Sequence, residues 1–292
     1  MYLFLLLGAF LLSYLLYVPS LMLSFAAGAI DYPSKRKSHA FPTARAGGLS
    51  FFISFSIACL VLPIQAGFKA ALLTSGVLVF AVGILDDCIS LSPPQKLAGQ
   101  FLAVATYIFI SGETSPIQGA FTLIWALFLT NAINLTDGLN GLAGGICSGE
   151  AICLAVIALI FDNSDIFLCS LLLLCSVLGF LPRNFPQAKI FMGDCGALFL
   201  GYTLAILSSK LVFESGSLVC LLATLLVFRL PTYDTNISII RRVLSGKNPF
   251  KADNGHFHHH LVALGFTKEC ATLALVSISL ALGFLGVVIS IL

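Results

Sequence analysis

The sequence predicts an all-α polytopic membrane protein of about ten transmembrane helices, and three observations predict it. Hydrophobic residues make up 59% of the 292 positions, charged residues only 10%, and the mean hydropathy is +1.03. A soluble chain carries about 25% charged residues. The apolar residues also fall in long blocks, as membrane helices of about 20 residues require, and not in the alternating segments of a barrel. Finally, the polar, positively charged segments alternate with short plain ones along the whole chain.

The blocks run roughly over 2–30, 48–66, 70–85, 97–111, 117–133, 142–161, 165–182, 196–210, 217–233 and 270–292. No Lys or Arg precedes the first, so it reads as a retained span, although Ala27-Gly28-Ala29 imitates a cleavage site. The second and third are parted only by 63–69, the sixth and seventh only by Asp162-Asn163-Ser164. The ninth carries Arg229, Pro231 and Asp234 and is expected to kink or break at the proline. There is no repeat or linker, so residues 1–292 form one domain. The nine cysteines are scattered without a Cys-x-x-Cys pair, which argues against a disulfide framework or a zinc site.

The odd-numbered loops (31–47, 86–96, 131–141, 183–195 and 234–269) hold Lys35, Arg36, Lys37, Arg45, Lys96, Arg183, Lys189, Arg241, Arg242, Lys247, Lys251 and Lys268. The even loops hold only Lys69 and Lys210. Twelve cations against two place the odd loops in the cytoplasm, and ten spans then leave both termini outside. The active site is expected on the cytoplasmic loops.

The most polar stretch is 131–145. Asn131, Asn134, Asp137 and Asn140 recur every three residues, which aims them one way on a helical turn, and glycines at 138, 141, 144 and 145 permit close approach. Such groups suit a hard cation with a phosphate or a nucleobase. The first loop offers Arg45 and Gly47-Gly48, which suit phosphate or serve as an ordinary positive anchor. In the third, Asp86-Asp87 precede Lys96. Paired carboxylates want a cation, and one of them is a candidate base. They also end a helix, where the dipole disfavours negative charge. In the seventh, Gly193-Asp194 stands at an expected N-cap. The ninth ends in His256, His258, His259 and His260, read as phosphate contacts rather than a zinc site. Glu150 and Asp234 are left to helix pairing. Acids for Mg²⁺ and cations for phosphate oxygens are the parts of a phosphoryl-transfer site, and its place in a membrane implies a lipid reactant.

These motifs, in this order, resemble the polyprenyl-phosphate N-acetylhexosamine-1-phosphate transferases of glycosyltransferase family 4. The carriers are Arg36-Lys37-Ser38-His39 with Pro42 and Arg45-Ala46-Gly47-Gly48, then Asp86-Asp87 with Lys96, then Asn131-Ala132-Ile133-Asn134-Leu135-Thr136-Asp137-Gly138. Asn184 through Asp194 and His256-Phe257-His258-His259 complete the set. Five motifs in register are far more specific than any one. Asn140, Ala44 and Asn254 depart from the usual pattern, and the chain looks more like the GlcNAc and O-antigen branch than the MurNAc-pentapeptide enzyme.

The resemblance implies that undecaprenyl phosphate attacks the β-phosphorus of a UDP-HexNAc, with Mg²⁺ (or Mn²⁺) and release of UMP, in a bacterial cytoplasmic (inner) membrane. Asn134 and Asp194 would ligate the metal. Asp86 and Asp87 would act at the lipid phosphate, and Lys96 would neutralise charge. Asn184, Phe191 and Asn140 would lie near the uracil, and His256, His258 and His259 near the diphosphate or sugar. Arg45, Asn131 and Asp137 complete the expected substrate-binding set. Expected partners are these two substrates, the lipid bilayer and a second copy in a homodimer, with no nucleic acid. The alternative, a transporter or channel, would carry its polar residues at mid-span in broken helices of paired halves.

Overall fold

The computed structural model describes residues 2–32, 42–113, 115–246 and 255–292. The basic and His39 part of the first loop motif, and Lys247, Lys251, Asp253 and Asn254 of the ninth loop, lie outside the described residues.

Among the described residues the regular structure is helical apart from one short ribbon. Helices α1 (Tyr2–Leu15) and α2 (Tyr17–Ala27) form a pair bent by 43°. Strand β1 (Ile30–Asp31) pairs antiparallel with β2 (Thr43–Ala44), an addition to the all-α expectation. Then come α3 (Gly48–Val61), α4 (Ala66–Ile89), α5 (Pro93–Ser111), α6 (Pro116–Thr136), α7 (Leu142–Ile160) and α8 (Ser164–Asn184). The chain continues through α9 (Gly193–Ser215), α10 (Leu218–Val227), α11 (Arg229–Leu244), α12 (Phe257–Ala263) and α13 (Lys268–Ile291).

Each expected apolar block coincides with one of these helices or a bent pair. Six helices are long and apolar enough to cross a membrane, and counting each bent pair as one span raises this to eight. Helix α3 has only 14 residues, and α5 opens on the polar turn Pro93-Pro94-Gln95-Lys96. The chain is thus a multi-pass membrane protein.

The ninth block breaks earlier than the proline suggested. The 72° bend falls at Phe228, between α10 and α11. Pro231 instead sits in the first turn of α11, where a missing N–H costs nothing because the first-turn donors lack intrahelical partners. The Phe228 carbonyl accepts both the Thr232 backbone N–H at 3.3 Å and the Thr232 hydroxyl at 2.7 Å, which ties the start of α11 across the bend.

Helix α9 is the axis of the bundle, buried along nearly its whole length. Its sequence is apolar on all sides, and its small residues admit the neighbours. A Cβ at Gly201 would lie 2.7 Å from the Thr130 Cα of α6, and Gly48 of α3 meets Gly196 backbone to backbone. Lipid gives little hydrophobic drive for helix association, so close packing and interhelical hydrogen bonds hold the bundle. Thr122 and Ser209 hydroxyls lie 2.7 Å apart, and the Trp125 indole donates to Ser208 at 2.9 Å, both joining α6 to α9.

Candidate active site

The five odd-numbered loops meet at one end of this bundle, where the N-terminus of α9 is the meeting point. The first loop adds to the seventh along the backbone. Phe191 N–H donates to Ala44 O at 2.8 Å, Gly47 N–H to Phe191 O at 2.9 Å, and Gly48 N–H to Met192 O at 2.8 Å. This carries Arg45 to the start of α9.

Asp87 is the structural key. Its carboxylate, at the end of α4, accepts the backbone N–H of Asp194 at 2.9 Å and of Cys195 at 3.0 Å, and Arg45 Nε lies 3.5 Å away. Asp87 therefore caps α9 from another helix. That removes the conflict of an acid at a helix C-terminus, because the charge answers the positive end of a different helix. Two glycines permit it. A Cβ at Gly83, one turn before Asp87, would strike the Cys195 backbone, and one at Gly193, which has φ +75°, would strike the Arg45 carbonyl.

Asp194 is not the N-cap expected from sequence. Met192 is the N-cap residue, and Asp194 lies in the first turn. The physical reason is that Asp87 already serves the N–H groups that an N-cap would take. The Asp194 carboxylate is left to face the loops: Lys96 bonds it directly, Asn134 Nδ2 lies 3.2 Å from Oδ1, and Arg45 Nη2 lies 3.9 Å away. Lys96 also reaches Asp86 at 2.6 Å, and Asp86 accepts the Leu91 backbone N–H at 2.6 Å. Arg45, Asp86, Asp87, Lys96, Asn134 and Asp194 thus form one connected cluster.

Asp137 stands beside this cluster, at the end of α6. Burial pushes its carboxyl up to about 7, helped by the charges of Asp194 and Asp87 and opposed by Arg45. An unfolded Asp titrates near about 3.9, so the folded protein holds this proton more tightly. Its contribution to stability is fully present below that value and is lost as pH rises through about 7. Without divalent cations, the parent is expected to lose thermal stability between about pH 4 and 7, and Asp137→Asn to lose less. Equal slopes for the two proteins would contradict this assignment.

Other carboxamides brace the frame. Asn131 and Gln100 exchange amide hydrogen bonds at 2.7 and 3.3 Å, which ties α6 to α5. Asn184 is buried; its Oδ1 accepts Gly141 N–H at 2.8 Å and its Nδ2 donates to Ile190 O at 3.0 Å. Asn140 Nδ2 donates to Pro186 O at 3.1 Å. Asn184 and Asn140 thus join the fifth loop to the seventh. The Phe191 ring is half-buried at the junction of first and seventh loops.

The histidines reach the cluster through glycine. The His258 imidazole packs on Gly138, where any Cβ would collide with it. His258 is buried, and burial, with His259 and His256 beside it, lowers its pKa to about 4 against the pull of Asp234. It is neutral at physiological pH. His259 is exposed, its ring centroid 4.1 Å from that of His258, whereas His256 is buried and faces Asp234 at 2.8 Å. Sequence reasoning left Asp234 to helix pairing and did not single out Gln100. The legible signal for Gln100 is a carboxamide inside the apolar block 97–111; Asp234 stands among the many polar residues of α11 and carries no such signal. Glu150 lies elsewhere, in α7, with no hydrogen-bond partner for either oxygen among the described residues.

No group of three or more His, Cys, Asp or Glu side chains among the described residues could by itself hold a metal ion. The donor chemistry still suits a hard cation. Asn134 and Asp194 face each other with oxygen-bearing groups, and Mg²⁺ typically takes one or two carboxylates and completes its shell with water and substrate phosphates.

Residues 69–212 match the family model described as glycosyl transferase family 4. The chain is 38% identical over 265 residues to the Bacillus subtilis protein named "Probable undecaprenyl-phosphate N-acetylglucosaminyl 1-phosphate transferase", covering 85% of this chain and 74% of that one. It is 33% identical over 296 residues to decaprenyl-phosphate N-acetylglucosaminephosphotransferase of Mycolicibacterium smegmatis, covering 86% and 73%. It is 32% identical over 262 residues to undecaprenyl-phosphate alpha-N-acetylglucosaminyl 1-phosphate transferase of Thermotoga maritima, covering 88% and 80%.

Proposed function

The chain belongs to glycosyl transferase family 4, and from that premise we propose that it transfers an N-acetylhexosamine 1-phosphate from a UDP-sugar to a polyprenyl phosphate, releasing UMP. The observation that carries this reading is the cluster of Arg45, Lys96, Asp86, Asn134 and Asp194 around the N-terminus of α9. Cations, acids and a helix dipole converging on one point are what a diphosphate and an attacking phosphate require.

GlcNAc is the favoured sugar, because all three relatives above are named for it, and undecaprenyl phosphate the favoured acceptor, because two are. The relatives are named for the reaction and not for O-antigen, so the proposed role is assembly of a cell-wall or other cell-envelope polymer. The charge asymmetry between loops supports a site on the cytoplasmic side, and the bacterial relatives support an inner-membrane setting. Family membership lends nothing to the transporter alternative.

In this reading an oxygen of the lipid phosphate attacks the β-phosphorus, a new P–O bond forms, and the bond to UMP breaks. Asn134 and Asp194 would hold Mg²⁺ or Mn²⁺, which when bound neutralises the diphosphate and makes its phosphorus easier to attack. Lys96 and Arg45 hold positive charge beside the reacting phosphates. Asp86 keeps Lys96 in place. Asp87 fixes the α9 N–H groups and the position of Asp194. Neutral His258, seated on Gly138, presents a ring to the sugar-diphosphate side, with exposed His259 next to it.

The test is release of UMP by purified protein from UDP-GlcNAc with undecaprenyl phosphate and Mg²⁺, run beside other UDP-HexNAc donors. No UMP from any donor, with the protein folded, would overturn the reading. Within it, Gly138→Ala is expected to lower turnover by about 10²-fold, because a displaced group of about 1 Å costs that much. The fold should survive, since Gly138 is exposed. Parent-like turnover would show that His258 need not sit where it does.

A further inference from the structure

We propose that Asp234 is a positioning residue that sets the ring orientation of His256 and, through it, the placement of His258 and His259. The proposal rests on the transferase reading above.

Asp234 is buried on α11, and no part of the cluster around Asp194 touches it in the contacts described above. One carboxylate oxygen lies 2.8 Å from His256 Nδ1, and the other accepts the Phe257 backbone N–H at 2.9 Å. A carboxylate only accepts, so Nδ1 carries the proton and Nε2 is left as the acceptor of the neutral ring. The Ser238 hydroxyl, one turn along α11, lies 3.4 Å from the same Nδ1. Arg241, a further turn on, donates to the Gly255 carbonyl at 2.9 Å. Three successive turns of α11 therefore grip residues 255–257.

The grip passes to the site through the rings. His256 and His258 are parallel within 2°, with centroids 5.8 Å apart, and His258 rests on Gly138. Asp234, Phe257 and His258 also line one small cavity with Leu142, Leu230 and Leu275, so these groups share a common wall. Asp234 lies six residues beyond Phe228, where the 72° bend falls. The bent half of the ninth block is thereby tied to the histidines.

Asp234→Asn separates orientation from shape. Its carbonyl oxygen can keep the Phe257 N–H, while its NH₂ can only donate to Nδ1, which moves the ring proton to Nε2. Turnover is expected to fall about 10- to 100-fold, with KM for UDP-GlcNAc within about twofold and the melting temperature preserved. Combined with His258→Ala, Asp234→Asn should add little further loss, because the two act through one unit. Nitrogen-15 shifts of the His256 ring, read without substrate, should show the proton on Nδ1 in the parent and on Nε2 in the variant. Parent-like turnover in Asp234→Asn, fully additive losses, or an unchanged ring tautomer would each overturn the proposal. The ring measurement needs no activity, so a failure of the transferase reading, seen as no UMP from the parent, is distinguishable from a failure of this one.

Discussion

Asp194→Asn is expected to reduce UMP release by on the order of 10³-fold while leaving the protein folded. Asp194 is the carboxylate on which Lys96, Arg45 and Asn134 converge. The substitution is isosteric, and the backbone N–H that Asp87 accepts remains. Only the charge is removed. That charge stands in the first turn of α9, where the helix dipole favours it, and it is the common partner of the cations that would meet the substrate phosphates. A 10³-fold loss corresponds to about 4 kcal/mol of barrier. Kinetics on purified protein, with thermal unfolding run in parallel, provide the check. More than about a tenth of parent turnover in a folded variant would remove Asp194 from the centre of the chemistry.

The second large effect is expected on stability. Asp87→Ala deletes the cap of α9 and leaves two inward N–H groups and Arg45 without their carboxylate. The Asp87 side chain is 0% exposed, so water does not replace the lost acceptor. Arg45 is 31% exposed and keeps Asp194 at 3.9 Å, so the main loss is the acceptor of two buried N–H groups, about 1–3 kcal/mol each, and the melting temperature should fall by roughly 10 °C. Asp86→Ala is the control. Asp86, its side chain 11% exposed, holds Lys96 and one local N–H but caps no other helix, so its removal leaves one donor unserved where Asp87→Ala leaves two, a loss of about 1–3 kcal/mol. Asp87→Asn should lie between, since one oxygen can still accept. Thermal unfolding in detergent without substrate or cation separates the cases. If Asp87→Ala melts no lower than Asp86→Ala, Asp87 is not the cap that holds α9. The adjacent acids, a single motif in sequence, would then need a shared role.

Much of the fold was legible because a bilayer imposes length and hydropathy on each segment. Each of the ten apolar blocks is a helix or part of a bent pair, and the loops picked out as odd-numbered do meet at one end. The bend of the ninth block was legible as a polar interruption but not as a position. At the break the Phe228 ring packs edge-on to Trp125 of α6, 5.9 Å between centroids, a partner that no neighbouring residue announces.

The site was legible as a set of residues and not as a set of partners. Spacing singled out Asn131, Asn134, Asp137 and Asn140 as one row. In the structure Asn131 turns to Gln100, Asn140 to Pro186, and only Asn134 meets Asp194. Asp87 carries the same chemistry as Asp86 in the sequence, yet one is a buried helix cap and the other a rim acid, because helix rotation sends adjacent side chains about 100° apart. Composition and motif order by themselves determined a multi-pass helical membrane protein and its family, since those follow from what each segment can bury and which groups it carries. Only the tertiary structure decided which carboxylate faces a helix end, which faces a lysine and which faces a histidine. Those pairings rest on angstrom-scale approaches at Gly83, Gly138 and Gly193, set by elements far apart in the chain.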